Sequence, residues 1–352
     1  MKGASVLSAS YEHQTPSAQF RTRRLRRKTL VCSILVALAA VLLYTDITFG
    51  TVTYSFNDLL RVVSGEQIPG ISFALGELRI PRSLTALACG AAFGIAGSCF
   101  QHLLRNPLAS PDIIGITSGA NAAAVFGIVV LGASGLELSA ISVAGGLLTT
   151  AVIAAFTWKR GLSLGRLILV GIAFGAMLDA ASSWILVHAD QWDIQSASRW
   201  LTGSLADTQW SDVLLSGIAL SIGCIAIAPL SKRLDMLRLG DEIAASLGVR
   251  VGASQIAIIC VSVTMLSIAT SAVGPIAFVS FLSGPIARRI SGYGSSALAE
   301  STLVGACLVL GSDIIAQHLL TERMPVGVVT SVIGGPVLVL LMYISTRKGH
   351  LE

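Results

Sequence analysis

Apolar and polar residues follow one another along this chain in long blocks, not in short periods. Ten apolar runs, at about 29–45, 83–101, 113–131, 139–157, 167–187, 211–230, 253–271, 274–287, 298–318 and 326–345, alternate with polar connections. Most approach the roughly 20 residues that a helix needs to cross a hydrocarbon core, and the eighth is short. The pattern predicts an all-α, polytopic membrane protein with about ten transmembrane helices in one domain, 29–346, flanked by polar tails at 1–28 and 347–352. The stretch 78–120 shows the repeating unit, in which two apolar runs flank a polar hinge around Arg105, Asn106 and Pro107. Gly90, Gly94 and Gly97 fall at spacings of four and three on the first of these runs. Such small residues let another helix approach closely, so this helix is expected to be packed in protein, not exposed to lipid.

Three connections carry structure of their own. Residues 46–82 are too polar to insert, and Phe56, Leu59, Leu60 and Val63 lie at helical spacing, which predicts a short interfacial helix. Pro81 suits the first turn of the helix that follows. Arg79 and Arg82, one turn apart, are either membrane-edge anchors or groups offered to something outside. Residues 190–212 hold Trp192, Trp200 and Trp210 among polar neighbours, as interface anchors do. In 231–252, Gly240 and Gly248 bracket a helix-sized piece, Asp241 to Leu247, with Asp241 and Glu242 in its first turn, where the helix dipole favours acids. This is a docking knob or a solvated connector.

Charge orients the pattern. Six basic residues between Arg21 and Lys28 directly precede the first apolar run. With the N-terminus inside, the internal segments 1–28, 102–112, 158–166, 231–252, 288–297 and the C-terminal tail hold 19 of the 24 Lys and Arg residues. Arg61, Arg79, Arg82, Arg199 and Arg323 fall outside. That bias supports both termini on the cytoplasmic side. The basic run reads as a positive-inside anchor touching anionic lipid, not as a nucleic-acid site. Composition agrees: the chain of 352 residues is 53% hydrophobic and only 12% charged, where soluble domains carry about 25%.

Chemistry-bearing motifs are few. Without a GxxxxGK[ST] run the chain does not cradle nucleotide phosphates itself. The five histidines are scattered and the six cysteines lie inside apolar runs, so no catalytic, cofactor or metal site is expected. Asp179 and Asp313 read as the acids at membrane depth. Each either bonds a nearby serine or backbone group in the bundle interior or acts as a proton relay.

Seven blocks then carry a resemblance. They are LRIPRSL at 78–84; Gly90 and Gly97 leading into QHLLRNPLASPDIIGITSGA at 101–120; RWLTGSL at 199–205; ASLGV at 245–249; GPIAFV at 274–279; IAR at 286–288; and MPVGVVTSVIGGP at 324–336. In this order they resemble the FecCD-type permease subunits of ATP-binding-cassette importers for iron-siderophores, haem and vitamin B12. The resemblance implies a non-enzymatic transport subunit in the inner membrane. It would pair with a second permease, a copy or a paralogue, with the paralogue favoured. Two ATPase subunits that carry ATP and Mg would sit inside, and a substrate-binding protein outside. Gly240, Asp241, Glu242, Ala245, Ser246, Leu247, Gly248 and Val249 would form the ATPase-coupling segment. Arg79 and Arg82 would meet acids of the binding protein. Gly90, Gly94, Gly97, Gln101 and Phe281 would border the path, and Arg105, Asn106 and Pro107 would form a cytoplasmic turn.

The chain departs from the family pattern at three places. Gly284-Pro285 replaces a Pro-His pair, Gln317 replaces a frequent Arg, and Arg323 stands where Glu is usual, so Arg323 becomes a further docking residue. Two alternatives stand beside this reading: a haem or cobalamin importer, and an ion- or proton-coupled secondary transporter using Asp179 or Asp313.

Overall fold

A computed structural model describes residues 16–50, 52–157, 164–292 and 296–349. Parts of the expected tails and of the connections 158–166 and 288–297 lie outside the described residues. Every described regular element is helical. The chain runs through α1 (Pro16–Thr48), α2 (Phe56–Val63), a helical turn α3 (Ile71–Phe73) and a π-wound Ala74–Arg79 that continues into α4 (Ile80–Leu103). A 3-10 turn (Pro111–Ile114) precedes α5 (Ile116–Val129), α6 (Gly135–Thr157), α7 (Leu164–Val187) and α8 (Gln191–Leu201). Then come α9 (Trp210–Leu237), α10 (Asp241–Ser246), α11 (Val251–Val273), α12 (Val279–Ser291), α13 (Leu298–Ile314) with a π-wound Ile315–Leu319, and α14 (Val326–Gly349).

Each expected apolar run finds a helix. Among the described residues, seven helices are long and apolar enough to cross a membrane. α5 and α12, with 14 and 13 residues, are shorter because the backbone breaks before them. Gly115 at φ 77° separates α5 from the 3-10 turn, and Gly274 at φ 72° with Phe278 at φ 66° delays the start of α12 to Val279. Other boundaries also move. α1 begins at Pro16, well before the apolar run, and α4 is preceded by helix from Ile71, where the polarity of 46–82 predicted a connection. The interfacial helix forms as α2, closed by a capping box in which Ser55 and Asp58 bond each other's backbone. The Ser55 hydroxyl and N–H hold the Asp58 carboxyl below the usual carboxylate range.

The core is built around α4, in which every residue from Ala88 to Leu103 is buried. α13, α11, α9 and α12 surround it, and α1 packs on α13. The glycines make this possible: a Cβ on Gly90 would lie 2.6 Å from the Gly305 carbonyl oxygen of α13, and one on Gly94 or Gly97 would overlap the Ser301 or Ser280 carbonyl. In lipid, where apolar tails compete with apolar side chains, such backbone approach supplies the dispersion contact that holds helices together. A second layer, α5, α6 and α7, packs on α11, and α6, α7 and α9 leave large apolar side chains such as Leu148, Leu169 and Ile222 exposed.

Gly97→Ala is expected to destabilise the protein by about 1–3 kcal/mol, the range for overpacking a tight core. Gly311→Ala, where nothing lies within 4 Å of the added methyl, is expected to be neutral or slightly stabilising. Thermal unfolding of both variants in detergent checks the contrast.

Candidate functional site

The polar chemistry gathers at the two ends of the bundle. At one end α4 stops at the hinge anticipated from sequence. Arg105 takes a left-handed φ of 50°, and the Asn106 side chain accepts from the Leu108 N–H at 2.9 Å. This turn aims the Arg105 guanidinium across the bundle. Its Nε donates to the Leu237 carbonyl at the end of α9 at 3.0 Å, and its Nη2 pairs with the Asp241 carboxylate at the start of α10.

α10 forms within the expected boundaries, between Gly240 at φ 118° and Gly248 at φ 84°. It buries only Ala244. Glu242, Ala245 and Ser246 are exposed, Val249 is half-buried, and Leu239, Ile243 and Leu247 project outward as exposed apolar side chains. The result is a protruding apolar knob held at its base by Arg105. Sequence spacing located α10 and the hinge separately but carried no signal joining them.

At the same end Arg27 donates to the Ile290 carbonyl at 2.9 Å, and Lys28 lies 3.9 Å from the fully buried Glu300. α1 is thereby tied to the last turn of α12 and the first turn of α13.

At the other end two of the three expected docking arginines are occupied within the chain. Arg82 donates Nε and Nη2 to the two oxygens of Asp313 at 2.8 and 2.7 Å, and Gln317 donates to the same carboxylate at 2.6 Å. Arg79 donates to the carbonyls of Ile47, Phe49 and Val52 at 3.1, 3.0 and 2.9 Å and lies over the Tyr54 ring. It thus pins the segment after α1, and it fits because position 50 is glycine. Arg323 is exposed, with no ion pair among the described residues.

Asp313 therefore has an arginine partner from another helix, not the serine or backbone group expected. Arg82 lies just before the run 83–101 and Asp313 five residues before the end of 298–318, so the two share an end of the bundle but no spacing signal joined them. Asp46, buried at the end of α1 and accepting from Ser83 at 2.6 Å, also escaped the count of acids at membrane depth, as did Glu300. Asp179 is exposed on α7, outside the bundle interior expected for it.

The expected path border is corrected at four positions. Gly90, Gly94 and Gly97 are closed off by α13 and α12. Gln101 is 2% exposed; its amide donates to the Phe281 carbonyl at 2.9 Å and its oxygen accepts from Arg288 at 3.2 Å. These residues make the inside of the subunit, because small side chains invite helix contact. Phe281 itself is half-buried against Phe278. A polar hollow of about 580 Å³ opens on the Arg82 end, lined by Ser139, Asp193, Arg199, Trp200, Asp207 and Asp212 among others.

A model of the FecCD transport family matches residues 23–344. The chain belongs to the FecCD transport family. It is 35% identical, over 92% of its own length and 98% of the relative's, to the ferric enterobactin transport system permease protein FepG of Escherichia coli K12. It is also 34% identical to the permease FepD of the same system, over 78% of this chain and 83% of that one. Among solved structures it is similar to an inward-facing metal-chelate type ABC transporter, with a TM-score of 0.80 and 27% identity over 90% of this chain and 99% of that one. As a FecCD member it is a multi-pass membrane permease subunit of an ATP-binding-cassette importer, a transport component and not an enzyme.

Asp313→Asn is expected to destabilise the protein by about 3–5 kcal/mol, because it strands the Arg82 charge. The double replacement Arg82→Met with Asp313→Leu is expected to recover most of that loss. Unfolding midpoints of the three proteins in detergent measure the difference.

Proposed function

We propose that this permease forms, with a second permease subunit, the path for an iron-siderophore complex across the inner membrane. ATP and Mg act on separate ATPase subunits, and an extracytoplasmic binding protein delivers the chelate. Two permeases of one system, FepG and FepD, are both relatives of this chain, which supports a pair of non-identical subunits.

The observation that carries the coupling half of this reading is α10. A six-residue helix carrying exposed Ile243, flanked by exposed Leu239 and Leu247 and fixed to the core helix through Arg105, is an apolar projection. It suits a groove on an ATPase subunit. Closure of the ATPase pair would push α10, and Arg105 would pass the displacement to the end of α4, shifting the population between two packings of the bundle.

At the opposite end, the free charge of Arg323 suits an acid of the binding protein, while Arg79 and Arg82 shape the platform beneath it. Asp313 is held by Arg82 and Gln317, which argues against a proton relay at that residue.

Reconstitution with ATPase and binding protein, scoring ATP-dependent uptake of ferric tris-catecholate, ferric tris-hydroxamate, haem and cobalamin, tests the proposal. Uptake of a ferric siderophore above the other two supports it, and uptake of haem or cobalamin alone overturns the cargo. Within that system, Arg105→Asp is expected to lower the amount of chelate moved per ATP hydrolysed by about fivefold or more, the scale of a 1 kcal/mol coupling energy. Adding Asp241→Arg to it is expected to restore coupling.

A further inference from the structure

Pro285 stands inside α12, where it has no N–H to give to the carbonyl one turn earlier, that of Phe281. In a membrane bundle such a carbonyl needs a donor from elsewhere, because no water is at hand to bond it. α4 supplies one: the Gln101 amide donates to the Phe281 oxygen at 2.9 Å. Gly284 makes the approach possible, since a Cβ there would overlap the Gln101 side-chain oxygen. Gly284 and Pro285, the pair at which the chain departs from the family pattern, thus form a fitted receptor for one side chain of α4.

The fit has a register. α4 and α12 run side by side in the same direction: Gly97 meets Ser280 and, one turn on, Gln101 meets Gly284. Arg288, a further turn along α12, donates to the Gln101 oxygen at 3.2 Å, so both ends of the carboxamide are bonded to one helix. The backbone of Gln101 is engaged as well. Its carbonyl accepts from the Asn106 N–H at 3.1 Å, within the hinge that aims Arg105 at Asp241. One residue therefore joins α12 by its side chain and the hinge that holds α10 by its main chain.

We infer that Gln101 is a positioning residue for transport: it fixes α12 to the end of α4 that holds α10, so that a displacement of α10 moves both helices together. The inference rests on the coupling role proposed for α10. The competing account is a bond that only closes the Phe281 carbonyl and stabilises the bundle. Pro285 separates the two, because an alanine there gives Phe281 a donor within α12 and leaves the tie to α4 dependent on Gln101.

The test uses the complete transporter with its ATPase and binding protein, and whichever of ferric tris-catecholate, ferric tris-hydroxamate, haem and cobalamin the parent imports. Gln101→Met keeps the length of the side chain and removes its donor. It is expected to lower the unfolding midpoint by about 3 °C and the chelate moved per ATP hydrolysed by about fivefold. Adding Pro285→Ala is expected to recover the midpoint but not the coupling, with Pro285→Ala alone as the reference. Coupling that returns together with stability overturns the inference, as does unchanged uptake per ATP in Gln101→Met. If Arg105→Asp leaves coupling intact while the protein with both Gln101→Met and Pro285→Ala loses it, Gln101 still positions α12 and the role proposed for α10 fails. The reverse pattern overturns the inference for Gln101 and leaves α10 in place.

Discussion

The close approach of backbones along α4 is the contact on which the rest of the subunit depends. In a bilayer the burial of apolar side chains gains little over leaving them in lipid, so helices hold together through dispersion and geometry. α4 meets this condition with glycine facing glycine at Gly94 and Gly305 and glycine facing backbone at Gly97 and Ser280. Four helices can then close around one. The same arrangement makes α4 a stiff member with a polar fitting at each end, Arg82 at one and Arg105 at the other.

Those fittings differ in kind. Arg82 sits with a fully buried carboxylate in a bidentate pair, where partner loss is severe and the geometry is fixed. Arg105 joins a half-exposed pair that contributes little to stability, and what it adds is position: it ties the start of α10 and the end of α9 to the end of α4.

Most of the fold was legible in the sequence, since helices in lipid are announced by apolar runs. Glycine spacing foretold that α4 is packed, and the glycine pair at 240 and 248 bounded α10. What escaped was pairing between distant segments. Arg79 read as a docking group because nothing local says that its guanidinium will find the carbonyls of Ile47, Phe49 and Val52. Gly90, Gly94, Gly97 and Gln101 fall on the path only by the family resemblance; the glycine spacing itself points to packing, which is what the neighbouring backbones show. Asp179 reads as either an interior bond or a proton relay, and local sequence gives no sign that it lies exposed on α7.

The seating of α1 on α13 sets a timetable for biogenesis. Leu35 accepts a sulfur hydrogen bond from Cys307, 272 residues later in the chain, and Lys28 and Arg27 wait for Glu300 and Ile290. At about 5–20 residues per second of synthesis, the first helix stands without its partner for roughly a quarter of a minute to a minute. It must therefore hold its place without α13, by its own apolarity, its basic flank and its contacts with the start of α4 at Ser83. Its sequence answers to that waiting period as much as to the finished bundle.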